Sequence, residues 1–179
     1  NPKDAAFFRV AARLRLKTAQ LAAFGSTRRA SSSAAKDANL RALLNAETRT
    51  ITIFGKSWDL HVREVFKISL DENLTLIEES VAFLKRHGRS VVYDAEHFFD
   101  GYRANPSYAL RTAQAALDAG ADTIVFCDTN GGSLPSEITQ MILACKSALR
   151  VPLGIHAHND SDLAVANSIA AVQAGCQQV

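Results

Sequence analysis

Short apolar runs alternate with longer amphipathic stretches along this chain. Runs at 21–26 (LAAFGS), 50–55 (TITIFG), 90–96 (SVVYDAE), 123–129 (TIVFCDT) and 152–158 (PLGIHAH) are rich in β-branched and aromatic residues and read as buried strands. Between them, apolar positions recur at helical spacing over about 35–46, 71–86, 106–119, 135–149 and 163–174, with a helical turn over 59–66. The punctuation agrees. Pro106 and Pro135 stand where helices open, Asp71 or Asn73 is placed to cap the helix running to Arg86, and Gly88, Gly120 and Gly175 stand where helices close. The opening residues 1–17 also read as a helix, with Phe7, Phe8, Val10, Ala11 and Leu14 as its apolar stripe, and 176–179 as the start of one more strand.

Strand and helix alternating in this way call for a parallel sheet with helical crossovers. Five strands fit either an open doubly wound sheet or part of a (β/α)8 barrel, whose full length is roughly 250 residues. The polar residues decide between the two. Ser26, Glu96, Asp128, Thr129, His156 and His158 all fall at the C-terminal ends of strands. A barrel gathers its chemistry there from many strands, whereas an open sheet does so only beside its switch point.

Composition narrows the function classes. A chain of 179 residues with 47% hydrophobic and 21% charged residues has the make-up of a globular domain, and a net charge of +2 is too small for a nucleic-acid footprint. No apolar run is long enough to cross a bilayer, and the opening NPKDAAFF is unlike a signal peptide, so a cytoplasmic location is expected. Cys127, Cys145 and Cys176 are an odd, scattered set that fits reduced thiols acting as small buried hydrophobes.

Candidate chemistry centres on Gly154-Ile155-His156-Ala157-His158-Asn159-Asp160. Alternation puts His156 and His158 on one strand face, where two imidazoles can grip a divalent metal or simply satisfy each other's surroundings by hydrogen bonds. Asp94 and Glu96 also share a face; a carboxylate there can orient a metal ligand, take part in proton transfer, or serve the helix that follows. In Asp128-Thr129-Asn130-Gly131-Gly132 the Thr129 hydroxyl can donate to a substrate carboxylate, although the same residues make an ordinary turn. Arg28 and Arg29 read as a solvated loop, His61 as a loop histidine without a role, and Asp160 and Asp162 as caps of the last helix. No phosphate loop, dinucleotide fingerprint or nucleophile triad occurs.

Taken in order, AAFGSTRR, TITIFGKSWDLHV, YDAEHFFDGY, CDTNGG and GIHAHNDSDLAVANS resemble the citramalate synthases, members of a group of metal-dependent acyltransferase and lyase barrels that includes the 2-isopropylmalate and homocitrate synthases. The resemblance implies that residues 1–179 are a fragment of a pyruvate carboxyltransferase-type catalytic TIM barrel, about strands 2–6, without its first, seventh and eighth strands and its C-terminal regulatory region. It implies His156 and His158 as ligands of a divalent metal (Mg, Mn or Zn), Glu96 as the catalytic carboxylate and Thr129 as the holder of a 2-oxo acid. The implied reaction condenses acetyl-CoA with pyruvate to citramalate in isoleucine biosynthesis, in a homodimer that engages neither nucleic acid nor membrane. A 2-isopropylmalate or homocitrate synthase, a lyase of the same group, and an inactive barrel fragment stay open as alternatives. Asp162 stands where relatives have a small residue, and Tyr93 lies three residues before Glu96 and so faces the other way.

Overall fold

The computed structural model describes residues 2–179. Five parallel strands, β1 (Ala22–Ser26), β2 (Thr50–Lys56), β3 (Ser90–Glu96), β4 (Thr123–Asp128) and β5 (Leu153–Ala157), lie side by side in chain order. Sequential order excludes a doubly wound sheet, which needs a reversal of strand order. Right-handed crossovers made always in one direction put every connecting helix on the same face of the sheet, as in an arc of a (β/α)8 barrel. Among the described residues β1 pairs with β2 alone, and β5 has beyond β4 only a single bridge, Gly154 to Gln178. The expected sixth strand at 176–179 is thus one bridge long.

The outer, helix-covered face carries the core. Ile51, Ile53, Tyr93, Ile124 and Phe126 alternate along their strands and are fully buried. They pack under α4 (Leu70–Arg86), α6 (Pro106–Asp118), α7 (Pro135–Lys146) and α8 (Ala164–Ala174), to which Ile77, Leu84, Ala113 and Ile138 contribute. The strand β2 shows the division directly, with Thr50, Thr52, Phe54 and Lys56 half-buried and Ile51, Ile53 and Gly55 buried between them.

Several local expectations are corrected by hydrogen bonding. The helix α1 (Pro2–Ala11) stops well short of residue 17, and Phe7, Val10 and Leu14 stay exposed, because only Phe8 and Ala11 of the stripe reach the core side; residue 1 lies outside the described residues. Helix α2 (Ala38–Asn45) begins three residues later than the pattern suggests, where Asp37 caps it by accepting from Asn39 N and Leu40 N, each at 3.0 Å. Helix α4 is capped by Ser69 rather than Asp71 or Asn73; Asn73 is buried and donates to Lys56 O and to the Tyr108 hydroxyl. The turn over 59–66 is present as α3 (Asp59–His61) passing into a π-helical turn at Val62–Phe66. Helix α5 (Phe98–Ala104) is hidden in the hydrophobic pattern because Gly101 interrupts it and Pro106 follows closely. Tertiary packing explains the glycine, since a side chain there would run into the backbone of Ser57.

Candidate active site

The inner face of the sheet is polar at one end. Register aligns Lys56 with Glu96, and Cys127 with His156. Because strand side chains alternate, Lys56, Asp94, Glu96, Cys127, Thr129, His156 and His158 all point to the side away from the helices, at the C-terminal ends of their strands. All four residues singled out from the sequence, Glu96, Thr129, His156 and His158, therefore reach one surface.

His156 and His158 have ring centroids 4.9 Å apart. Asp94 Oδ2 lies 2.8 Å from His156 Nδ1 and accepts its hydrogen bond, which holds the ring so that Nε2 is the nitrogen a metal would bind in place of a proton. Of the two carboxylates on β3, the orienting one is Asp94. The hydrogen bond to Asp94, and then the contact with Cys127, raise the imidazole to about 10. The Cys127 sulfur joins the two histidines, their ligand atoms all lying within 4.8 Å of one another. A carboxylate behind a histidine, next to further nitrogen and sulfur donors, is the usual surrounding of a bound metal. Asp94 Oδ1 is buried with no partner, as a group poised beside a bound ion would be. The residues fit a metal.

Glu96 is paired with Lys56 at 2.5 Å. The lysine escaped the sequence reading, although the alternation Thr52, Phe54, Lys56 put it on the open face; only the register showed that it meets Glu96. A cavity of about 480 Å³ opens beside this pair, walled by Ser26, Arg29, Phe54, Val65 and Phe66 among others. Arg28 is not a free loop cation: it binds Glu79 at 2.7 Å and the Ser32 carbonyl at 2.9 Å and so pins the loop after β1.

Thr129 accepts from the His97 N–H at 2.8 Å and donates its single hydroxyl proton to Cys127 Sγ at 3.1 Å. Its neighbour Asp128 points the opposite way, fully buried, and accepts from the Ser133 hydroxyl at 2.8 Å and from Asn167. The loops after β4 and β5 touch. At Gly131, where φ is +60°, a side chain would meet Asp160 N at 2.8 Å. In the β5 loop Asn159 supplies the hydrogen bond that starts α8, accepting from Ala164 N, while Asp160 and Asp162 do not cap it. His61 is not a bare loop residue: its ring meets His97 edge-on at 4.3 Å, and Trp58 covers it at 4.8 Å. Burial, with His97 next, lowers its pKa, keeping it neutral beside the Glu96 end of the site.

Comparison with known proteins gives the chain's family. Over its whole length the chain is 55% identical to the (R)-citramalate synthase of Geobacter sulfurreducens and 53% identical to that of Aquifex aeolicus, and in each case it spans 34% of the relative. Among solved structures, the hydroxymethylglutaryl-CoA lyase from Pseudomonas aeruginosa superposes with a TM-score of 0.76 at 18% identity, over 99% of this chain and 58% of that one, and shares the fold. A model of the HMGL-like family matches residues 3–179, nearly the whole chain, and the chain belongs to that family.

Proposed function

We propose that this chain is the central part, strands two to six, of the catalytic barrel of a citramalate synthase that condenses acetyl-CoA with pyruvate. The observation that carries the reading is the placing of His156, His158 and the Asp94 behind them on the same inner face as Glu96, Lys56 and Thr129. The naming of relatives about half identical over the full chain supports it. Because the chain spans about a third of those relatives, the activity belongs to the whole protein, read as a cytoplasmic homodimer acting on small molecules.

In the proposed reaction the acetyl-CoA methyl group loses a proton, the resulting carbanion attacks the keto carbon of pyruvate, and water then cleaves the thioester to release citramalate and coenzyme A. His156 and His158 would hold a divalent metal, which would supply Lewis-acid chemistry to the reaction. Asp94 accepts from His156 Nδ1 and holds the ring, so that Nε2 would bind the ion once its proton is lost. Thr129 stands on the open face, where its hydroxyl can exchange Cys127 for the substrate carboxylate and so orient the keto carbon. Glu96, held by Lys56 at the cavity, is placed to move a proton.

The test is release of coenzyme A thiol by the complete protein, offered acetyl-CoA with pyruvate, 2-oxoisovalerate or 2-oxoglutarate. Fastest turnover of pyruvate is expected. Preference for the branched acid would make it an isopropylmalate synthase, and preference for 2-oxoglutarate a homocitrate synthase. Carbon–carbon cleavage without condensation would make it a lyase.

A further inference from the structure

Lys56 is the last residue of β2 and stands in register with Glu96, the last residue of β3. Its Nζ lies 2.5 Å from Glu96 Oε2, with the two side chains 14% and 21% exposed. That oxygen is buried and has no other partner, so the ammonium alone compensates it. The carboxylate's other oxygen is left to the cavity that Glu96 lines. Among the described residues Glu96 is the one carboxylate paired with Lys56. An ammonium carries more than one N–H, so this lysine can meet a second oxygen without leaving the first. Phe54, Val65 and Phe66 wall the same cavity, and Lys56 Nζ stands 5.8 Å from the centre of the Phe66 ring. Apolar walls lower the local dielectric and strengthen the pull of a unit charge.

In the resting site the two charges cancel. When Glu96 takes a proton from the acetyl-CoA methyl group, a C–H bond breaks and an O–H bond forms on the carboxylate. The electron pair passes through the carbonyl onto the thioester oxygen. The negative charge has then left Glu96, and the ammonium faces a neutral acid. The thioester oxygen is bonded to the carbon next to the methyl group. A substrate posed with its methyl on Glu96 therefore brings that oxygen within reach of the same lysine.

We infer that Lys56 is a catalytic residue, whose ammonium is handed from Glu96 to the enolate oxygen as the proton moves. The inference rests on the proposed reading of Glu96 as the group that takes the methyl proton. A donor already in place where charge develops needs no reorganisation at the moment of reaction. As the enolate carbon attacks pyruvate the electron pair returns to carbon, and the ammonium returns to the carboxylate when Glu96 gives up its proton.

The test uses the complete protein with Lys56→Met, which keeps the side chain's length and loses its charge, and Lys56→Arg, which keeps the charge. Lys56→Met should lower kcat by about 10²–10³-fold, the loss that follows removal of one donor to a developing oxyanion, with the KM for acetyl-CoA little changed. The isotope effect with methyl-deuterated acetyl-CoA should rise, because proton removal becomes the slowest step. Lys56→Arg should recover part of the loss. The carboxymethyl thioether of coenzyme A, which carries anionic oxygens where the enolate forms, should bind Lys56→Met more weakly in proportion to the fall in kcat. Should Lys56→Met not fold, Lys56→Met combined with Glu96→Gln removes the orphaned charge. Weaker binding of the thioether by that pair than by Glu96→Gln alone supports the role, and equal binding overturns it. A Lys56→Met enzyme with kcat, isotope effect and thioether affinity unchanged would overturn the inference and leave Glu96 in place. So would a fall in kcat that comes with a lowered thermal transition and an unmoved isotope effect, the mark of an ion pair that only holds the fold. Full turnover by Glu96→Gln, or no release of coenzyme A with any of the oxo acids, would overturn the reading of Glu96 and the inference with it.

Discussion

The two faces of the same sheet differ in burial and in chemistry. On the outer face Ile53, Tyr93, Phe126 and Ile155 meet helices and lose nearly all contact with solvent. On the inner face, at alternate positions of the same strands, stand Lys56, Asp94, Glu96, Cys127 and His156. A period of two lets one strand serve a packed core and a chemical surface at once. Neighbours in sequence therefore have unrelated roles: Phe126 is core, Cys127 faces the site, Asp128 braces the loop to α7, and Thr129 faces the site again.

Substitutions that cross from one face to the other should separate these roles. The largest effect is expected at the inner face. His156→Ala or His158→Ala in the complete protein should abolish turnover; His158→Ala should leave the thermal transition nearly unmoved, since its ring is no part of the core, whereas His156→Ala should also lower it by leaving the buried Asp94 carboxylate without its partner. Full activity of both variants at limiting metal would sink their assignment as ligands. The outer-face counterpart is Phe126→Ala. Phe126 is fully buried and stacks on Phe98 with centroids 4.0 Å apart, so its loss should cost about 3–5 kcal/mol of stability in denaturant melts.

The two aspartates sharpen the contrast. Asp94→Asn keeps the shape but loses the charge behind His156, and metal affinity should fall about 10–100-fold in a chelator competition. Asp128→Asn should instead lower stability and leave metal affinity as it was, because its carboxylate serves Ser133 and Asn167. Equal loss of metal affinity in both would show that the faces are not independent. An effect of about the same size is expected at Thr129→Ala, where losing one hydrogen bond to a charged carboxylate should raise the KM for the oxo acid by the equivalent of about 1.5–3 kcal/mol. If only the KM for acetyl-CoA moves, Thr129 holds the wrong substrate in this scheme.

The elements themselves were legible from the chain because hydrophobic period and turn residues are local properties. All five strands fall where the apolar runs lie, within a residue or two, and Gly88, Gly120 and Gly175 adopt the positive φ that closing glycines need. Caps were less legible. Ser69 and Asn159 did work assigned to Asp71, Asn73, Asp160 and Asp162, since several polar residues near a helix start compete and only backbone geometry selects the donor or acceptor that reaches. Alternation also placed His156 with His158, and Asp94 with Glu96, on shared faces.

What alternation along one strand cannot contain is the offset between strands. Register is set by how crossover helices dock on the sheet, through contacts between residues dozens of positions apart. Only the folded molecule put Lys56 against Glu96 and Asp94 against His156, and turned a cysteine readable as core into a neighbour of two histidines. Hydrophobic period along the chain selects which residues stand at the strand ends; packing between elements selects which of them meet, because a metal or proton site is a distance between strands.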